Sequence, residues 1–400
     1  MKFNKWTLGL AAVGAVSRAS AVRADEAKMS AVETALSNTT ISGFVDIGIQ
    51  GNFGDQSRDS SLPPYANNDY SEDGLRSSIR DGFSLNAVNI AIDRPLDDSS
   101  WAAGYHVELN TGYGAISGVP LTAIGSKSSD DLANSQSEGN LVIRQAYITM
   151  RTPLGNGIDW KLGVIDGITG YESNTGYKNP NYTRSYGYII NPTTYTGILG
   201  TYQIVSGVSV TAGVANRGNY QGFGQNNNNI VQKDFIFATS LTAPESWGWL
   251  KGSALNLGTV QSFDNNGVDI YSANLALATP VAGLKVGIAW DALNSRTANR
   301  NADVNVYGVY ATYQATDKLA FNLRGEFVDG TDFDGGKGSN PFNSLGRGEE
   351  VTATIEYNLW ANMLTRVEFR WDHAEFTRPY SNSEEGANAL LLAFNAVYKF

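Results

Sequence analysis

Apolar and polar side chains alternate along several stretches of this chain. Between residues 318 and 328, the apolar Phe321 and Leu323 alternate with the polar Asn322 and Arg324. Two further segments show the same alternation, residues 101–110 and 364–372. A period of two predicts β-strands in which one face is apolar and the other carries charged and amide groups.

Along the whole chain, this pattern predicts sixteen strands. They lie near residues 39–50, 82–94, 101–113, 140–152, 157–166, 194–205, 207–217, 232–243, 249–262, 267–278, 283–292, 303–314, 318–329, 349–358, 363–374 and 388–400. The connections are alternately short and long almost throughout; the long ones include 51–81, 114–139, 167–193 and 330–348. Short periplasmic turns alternating with long extracellular loops are typical of outer-membrane barrels.

The charged face of these strands has two possible meanings. In a soluble sandwich it would meet solvent, whereas in a membrane barrel it lines a wet lumen and the apolar face meets lipid. The period alone does not separate the two, but a soluble Greek key has no reason to alternate short and long connections. We therefore expect an all-β fold, a transmembrane antiparallel up-and-down β-barrel of about sixteen strands.

Tryptophan positions support the barrel. Trp prefers the bilayer interface, where the ring is half buried and its N–H stays wet. Five tryptophans lie on the predicted short-turn side, Trp101, Trp160, Trp247, Trp249 and Trp360, and two near the long loops, Trp290 and Trp371.

The first 24 residues have the pattern of a secretory signal peptide. Lys2 and Lys5 precede an apolar run at 6–16 that is too short to span a bilayer, and small-residue cleavage patterns end at Ala21 and Ala24. We expect cleavage after Ala24, with Ala21 as the alternative. The predicted division is a signal peptide at 1–24, a periplasmic N-terminal tail at 25–38 and a β-barrel domain at 39–400. A short docked helix or a partial plug is the alternative for the tail.

Composition argues against several classes of function. The chain has 400 residues and no Cys, so thiolate nucleophiles and Cys-based metal sites are excluded. Its two histidines, His106 and His373, have Glu rather than Ser two positions further on, which disfavours a lipase-type pair. The net charge of −10 disfavours nucleic acid as a partner. We expect no enzyme activity, no catalytic residue, no cofactor and no metal centre.

One acidic cluster leaves an alternative open. Asp329, Asp332 and Asp334 are close in sequence, and clustered carboxylates suit Ca²⁺. Their spacing does not fit an EF-hand loop, so we expect a solvated surface loop, with loop-bound Ca²⁺ as the alternative.

Four segments resemble a known family, the β-barrel porins of the OmpL-like type, in particular the verrucomicrobial-like members. They are TTISGFVDIGIQGNFG (39–54), DGFSLNAVNIAIDRPLDDSSWAAGYHVEL (81–109), IRQAYITMRTPLGNGIDWKLGVIDGITGYES (143–173) and NPNYTRSYG (179–187). The resemblance runs from about residue 39 to 400 and implies an outer-membrane barrel with pore activity, without naming a solute.

The expected function is therefore that of a porin for passive diffusion of small hydrophilic solutes across the outer membrane of a Gram-negative-type bacterium. A channel biased toward a sugar or organic acid, and a surface-structural or adhesive barrel, remain as alternatives. The expected partners are outer-membrane lipid and lipopolysaccharide, the solutes, and further copies in a homotrimer. The candidate trimer contact is a set of small residues expected on the outward face, Gly43, Ala87, Ala91 and Ala103.

Eleven charged residues on the predicted inner face are candidate pore-lining residues: Asp46, Glu108, Arg151, Lys161, Arg324, Glu326, Glu356, Arg366, Glu368, Arg370 and Asp372. Arg324, Arg366 and Arg370 could form a basic stripe facing the lumen, with local ion pairs in the wall as the alternative. The acidic loops favour a mild cation preference.

Two further sites follow from the pattern. The loop at 167–193 is unusually aromatic and is predicted to fold into the channel as its constriction, with a surface lid or trimer latch as the alternative. Its candidate residues are Glu172, Lys178, Tyr182, Arg184 and Tyr186. Phe394, Tyr398 and Phe400 alternate on the last strand and are predicted to form the signal that the barrel assembly machinery reads.

Overall fold

Sixteen strands form one closed antiparallel sheet in the computed structural model of the protein. The strands are β1 (Thr40–Gly54), β2 (Gly82–Arg94), β3 (Ala102–Thr111), β4 (Val142–Thr152), β5 (Ile158–Asp166), β6 (Thr194–Val205), β7 (Val208–Asn216), β8 (Lys233–Thr242), β9 (Ala254–Ser262), β10 (Val268–Ala278), β11 (Leu284–Thr297), β12 (Arg300–Gln314), β13 (Leu319–Gly330), β14 (Arg347–Trp360), β15 (Met363–Ala374) and β16 (Asn388–Lys399). Each strand pairs with the next, and β16 pairs with β1. The predicted fold class and strand count are confirmed.

The structure describes residues 32–33, 38–54, 68–71, 74–77, 82–112, 119–120, 141–216, 233–263, 267–297, 300–330, 347–374 and 388–400. The predicted signal peptide, most of the predicted tail, and Asp332 and Asp334 of the acidic cluster lie outside them. Within the tail, Val32–Glu33 pairs with the start of β1. A short hairpin joins Asn68–Ser71 to Gly74–Ser77, and Val119–Pro120 pairs with β4.

Helical segments are few and short among the described residues. They are the 3-10 helices Gly176–Lys178 and Glu245–Leu250 and the α-helix Tyr186–Ile190. In the part of the chain that the structure describes, no helix is both long and apolar enough to span a bilayer.

Several strand boundaries differ from the prediction, most clearly at the start of β9 and between β11 and β12. β9 begins at Ala254 rather than 249, because the chain before it turns through Glu245–Leu250, where Gly248 has a φ of 60°. The predicted gap between β11 and β12 is largely strand, since the ladder continues to the pair Thr297↔Arg300. This connection on the long-loop side is therefore short.

The sheet carries its apolar side chains on the outside. On β13, the outward Phe321 and Leu323 are 43% and 55% exposed, whereas the inward Asn322 and Arg324 are buried. Many other outward positions are large and apolar as well, including Val309, Ile355 and Phe394. This is the reverse of a soluble barrel and matches a wall with lipid outside and a polar interior.

Two β-bulges change which side chains face inward. The register shifts at Asn86, between β1 and β2, and at Arg144, between β3 and β4. Each bulge places two successive side chains on the same side of the sheet, because the extra residue interrupts the period of two. In β4, both Arg144 and its neighbour Gln145 bond to the inward Glu108.

The bulge in β2 corrects the predicted outward set of small residues. Ala87 is buried against Phe44 inside the barrel, and Ala91 lies directly opposite the inward Glu108. Ala103 is exposed on the outside. The prediction for Ala87 and Ala91 is wrong because it extends the alternation of the first half of β2 through the bulge.

The seam between β1 and β16 closes the barrel at Gly43. The Gly43 N–H donates to Phe400 O at 2.9 Å, and the Phe400 N–H donates to Gly43 O at 3.0 Å. A Cβ atom at position 43 would lie 2.2 Å from Asn89 O and 2.7 Å from the Phe400 ring. Only glycine fits under the Phe400 ring at this position.

Candidate functional site

The segment 167–193, called here the inner loop, leaves β5 and returns to β6 through the interior of the barrel. Its Tyr186, Ile189 and Ile190 are at most 2% exposed. They form one apolar cluster with wall residues from β5 to β13 and β16: Ile165, Tyr195, Leu199, Ala215, Ile236, Val260, Ile270, Leu293, Val304, Val306, Val328 and Ala389. The wall is apolar where the loop covers it, because these side chains meet the loop rather than water.

The inner loop is also held together by its own hydrogen bonds. At its base, the Gly167 N–H donates to Thr193 O at 2.8 Å. Ser185 caps the helix Tyr186–Ile190, since its side chain accepts from the Tyr188 N–H at 2.9 Å. The Arg184 guanidinium donates to carbonyl oxygens of the first half of the loop at 2.5 and 2.6 Å. The loop therefore has a defined shape, built around Arg184.

Arg324 on β13 is the centre of the contact between the inner loop and the wall. Its Nε donates to Glu350 Oε1 at 2.6 Å, and its Nη1 donates to Glu172 Oε1 of the loop at 2.7 Å. The same guanidinium donates to Thr183 O at 2.8 Å and to Arg184 O at 3.2 Å. Arg324 is 1% exposed. One cation therefore ties a wall carboxylate, a loop carboxylate and two loop carbonyls together.

Arg370 on β15 makes a second contact of the same kind. Its Nη2 donates to Asp372 Oδ1 at 2.7 Å, and its Nη1 donates to Arg184 O of the loop at 2.5 Å. The Tyr186 hydroxyl donates to the same Asp372 oxygen at 2.7 Å. Wall and loop thus share one buried carboxylate.

Two wall carboxylates bind backbone N–H groups of the inner loop. Glu368 accepts from Tyr182 N at 2.6 Å and from Thr183 N at 2.9 Å. Glu326 accepts from Tyr186 N at 2.5 Å and from the following N–H at 3.1 Å. Such charge-assisted bonds are stronger than neutral ones, so these acids fix the path of the loop backbone.

The loop reaches the strands on both sides of this contact. Tyr171 stacks on Tyr310 of β12 with ring centroids 4.0 Å apart, and Tyr177 meets Phe44 of β1 edge-on at 4.9 Å. Tyr182 donates to Asn86 Oδ1 at 3.3 Å. The Tyr182 hydroxyl is protonated at neutral pH, and burial raises its pKa further, so it remains a donor in alkaline solution as well.

All eleven charged residues predicted for the inner face point inward, but most do not meet open space. Arg324, Arg366 and Arg370 are at most 2% exposed beneath the inner loop. They therefore do not form a stripe facing the lumen, and their partners lie in the wall and the loop. Glu326, Glu368 and Asp372 are buried in the same contact.

The other predicted wall residues lie away from this contact. Asp46 accepts from Asn86 and Asn395 at 2.8 and 2.6 Å. Arg151 pairs with Asp159 at 2.6 Å near a short turn. Glu108 is buried and bound by Arg144, Glu356 lies opposite Arg366, and Lys161 lies 4.8 Å from the centre of the Tyr147 ring.

Sequence reasoning missed Arg144, which binds Glu108 at 2.8 Å and Asp166 at 2.8 Å. The bulge places it inside, whereas strict alternation would place either Arg144 or Gln145 outside. The adjacent polar pair was the available signal, because an Arg or Gln facing lipid is unfavourable.

The five candidate constriction residues do different things in the structure. Tyr182, Arg184 and Tyr186 are buried and face the wall or the loop itself, and the Glu172 carboxylate is bound by Arg324. Lys178 is exposed. Four of the five thus anchor the loop rather than line an opening.

An open cavity of about 240 Å³ remains between the inner loop and the wall from β4 to β9. Its loop side is formed by residues 167–174 together with Tyr188, Asn191 and Pro192. Its wall side includes Gln145, Tyr147, Lys161, Thr201, Ser240 and Asn256. The loop crosses the interior from β5 and β6 to the strands around β13–β15, and this space lies beside its first residues, next to β4 to β9.

The predicted surface features lie on the outside. Phe394 and Tyr398 are 44% and 49% exposed on the outward face of β16. Trp101, Trp247 and Trp360 are highly exposed at the short-turn end. The described residues contain no group of three or more His, Asp or Glu side chains placed to hold a metal ion.

Solved structures with this fold are outer-membrane proteins. The anion-selective porin of Comamonas acidovorans is 10% identical over 90% of this chain and 99% of its own, with a TM-score of 0.57. The outer membrane channel DcaP of Acinetobacter baumannii is 12% identical over 90% and 97%, with a TM-score of 0.55. OmpF of Salmonella typhi is 12% identical over 91% and 98%, also with a TM-score of 0.55.

The sequence itself matches a family. No curated protein is similar in sequence to this chain. The family described as "Putative beta-barrel porin-2, OmpL-like" matches residues 38–400, nearly the whole chain, as the resemblance predicted. Family and fold together make the protein a diffusion channel of the Gram-negative outer membrane. The chain belongs to the OmpL-like family of β-barrel porins.

Proposed function

We propose that small hydrophilic solutes cross the barrel through the space between the inner loop and the wall from β4 to β9. The observation that carries this proposal is the anchoring of the loop. Arg324, Glu326, Glu368 and Arg370 fix it to the wall around β13–β15, so it narrows the lumen from one side. The inner loop is then the constriction, and solutes pass along its free face.

The polar lining suits passive diffusion better than chemistry. The two carboxylates that line the cavity, Asp166 and Glu172, are each engaged by an arginine. His106 lies between Asp93 and Glu108, without a hydroxyl nucleophile beside it among its described contacts. We infer a channel without enzyme activity and without a cofactor. An adhesive barrel would place its function in loops that are largely outside the described residues.

Planar bilayer recordings test this function. The full-length protein should give stepwise conductance, because the free side of the inner loop remains open. A barrel that inserts but never conducts would contradict the proposal.

Deleting residues 176–185 of the inner loop tests the constriction. Single-channel conductance should increase, since the deletion removes the part of the loop that fills the lumen beside β13–β15. Lys178→Gln is the matched control, because it changes one exposed residue and keeps the loop. An unchanged conductance in the deletion variant, with normal insertion, would rule the constriction out.

Further proposals concern export and assembly. We propose that residues 1–24 are a signal peptide, that 25–38 form a periplasmic tail, and that the C-terminal residues Phe394, Tyr398 and Phe400 are read by the barrel assembly machinery. A homotrimer among lipid and lipopolysaccharide is proposed by analogy alone. Ala103 remains the exposed small outward residue available for its contact, because Gly43 is buried beneath the Phe400 ring. Native mass spectrometry in detergent measures the oligomeric state, and a spectrum with monomer alone would contradict the homotrimer.

A further inference from the structure

The charged groups that line the open cavity differ in their partners. Asp166 receives two hydrogen bonds from the Arg144 guanidinium, both at 2.8 Å. Glu172 is bound by Arg324 at 2.7 Å. Lys161, the cation of this lining, pairs with no carboxylate among the described residues. The cavity therefore holds two acids in direct ion pairs and one ammonium group without a direct ion pair, on which Asp166 and Asp93 act only at longer range.

Lys161 is held in position by an aromatic stack. Its Nζ lies 4.8 Å from the centre of the Tyr147 ring, a cation–π distance. The Tyr147 ring in turn stacks on His106, with centroids 5.1 Å apart and planes 20° from parallel. Both lysine and tyrosine come from strands, β5 and β4, so the charge sits on a rigid part of the wall.

Hydroxyl and amide groups on successive strands form the wall beside this charge. Ser209 of β7 lies opposite Ser240 of β8, which lies opposite Asn256 of β9. Thr201 of β6 is hydrogen-bonded to Thr211 of β7 at 2.8 Å. We call these five residues the hydroxyl belt.

Two members of the hydroxyl belt have unused hydrogen-bonding groups. The Ser209 and Ser240 residues are 3% and 4% exposed, and their Oγ atoms have no hydrogen-bond partner in the described part of the chain. Buried polar groups are normally satisfied, so these hydroxyls are available to a molecule inside the cavity.

We infer that this cavity is a binding subsite for hydroxylated monocarboxylates, that is, sugar acids of about hexose size. The inference rests on the proposed route of solutes along the free face of the inner loop. The carboxylate would pair with Lys161 and the hydroxyl groups with the hydroxyl belt. A neutral sugar lacks the ionic contact, and an apolar acid lacks partners for the belt.

The size of the cavity supports a single-ring or short open-chain solute. Its volume of about 240 Å³ lies below the ~300–1,000 Å³ of drug-sized binding sites. A cavity of this volume suits a monosaccharide acid better than an oligosaccharide. Binding in such an open site is weak, which a channel requires because the solute must also leave.

Current block by gluconate, compared with D-glucose, tests the subsite. In planar bilayers, gluconate should block the full-length channel saturably, at a concentration at least about 10-fold lower than glucose, because its contact is charge-assisted. Lys161→Gln should remove this difference, and Lys161→Arg should restore most of it. Ser209→Ala/Ser240→Ala should weaken block by both solutes.

Lys285→Gln is the matched control. Lys285 of β11 also faces inward, where it lies opposite Thr312 of β12. It does not line this cavity. The Lys285→Gln substitution removes one positive charge from the interior, as Lys161→Gln does, so a general electrostatic effect would appear equally in both variants. Equal loss in Lys161→Gln and Lys285→Gln, or an unchanged gluconate block in Lys161→Gln, would overturn the subsite.

Calorimetric titration of gluconate into the detergent-solubilised protein separates this inference from the proposed route. Heat of binding that Lys161→Gln abolishes, in a protein without conductance, would uphold the subsite and reject the route. A conducting protein in which gluconate and glucose differ neither in current block nor in heat of binding would uphold the route and reject the subsite.

Discussion

Replacing Arg324 by methionine should release the inner loop. The guanidinium is buried and binds Glu350 at 2.6 Å and Glu172 at 2.7 Å, with two loop carbonyls as further acceptors. Methionine leaves both carboxylates buried without this cation. Removing one partner of a buried ion pair costs about 3–5 kcal/mol. Because the ladder between β13 and β14 is made by backbone atoms, most of this cost falls on the docking of the loop.

The size of the effect makes it measurable in single channels. A loss of about 3 kcal/mol raises the ratio of released to docked loop on the order of 10²-fold. Arg324→Met should therefore show a noisier open current and a larger maximal conductance than the natural protein. The barrel itself should still insert, and its heat-induced gel shift should remain.

Arg347→Met provides the control for this variant. Arg347 and Asp329 pair at 2.9 Å on the same two strands, but their side chains are 46% and 44% exposed. Such a pair is worth about 0–1 kcal/mol, so conductance and noise should stay unchanged. If Arg324→Met behaves like Arg347→Met, the ion pair does not hold the loop. A double variant with Glu172→Gln should be less severe than the sum of its parts, because both changes break one contact.

Two further outcomes follow from the outer surface and the seam. Gly43→Val should weaken barrel closure, because the valine side chain would collide with the Phe400 ring. On a gel, the folded band should convert to the unfolded band at a lower temperature. Ala103→Val, at an exposed outward site, should leave this temperature unchanged. Trp247→Ala/Trp249→Ala should slow insertion into liposomes, since these rings are 60% and 56% exposed at the short-turn end, where Trp favours the bilayer interface. An unchanged insertion rate, with no loss of tryptophan fluorescence quenching by lipid-attached quenchers, would argue against that interfacial role.

The fold was predictable because the wall obeys a simple rule. Each strand separates lipid from a polar interior, so residues such as Phe321 and Arg324 must alternate, and the alternation survives in the sequence. The rule fails at bulges. Arg144 is itself an inserted residue and Ala87 follows one, and no pattern of period two places both members of such a pair correctly.

The candidate site was less predictable than the fold. Sequence patterns give the side of the sheet on which Arg370 lies, but not whether a loop covers it. The aromatic residues indicated that the segment 167–193 is not an ordinary solvated loop. They did not indicate that Tyr182 and Tyr186 face the wall, because that choice depends on Glu326 and Glu368, which are about 140 and 186 residues away in the chain.

The seam at Gly43 also sets an order of events during biogenesis. β1 leaves the ribosome first, but one of its two partners is β16, which is made last. Until then its edge carries unpaired N–H and C=O groups, which are a template for aggregation. Contacts of such long sequence separation form slowly. We therefore expect the unpaired edge of β1 to need protection until β16 reaches it, and closure of the seam to be a late step of folding.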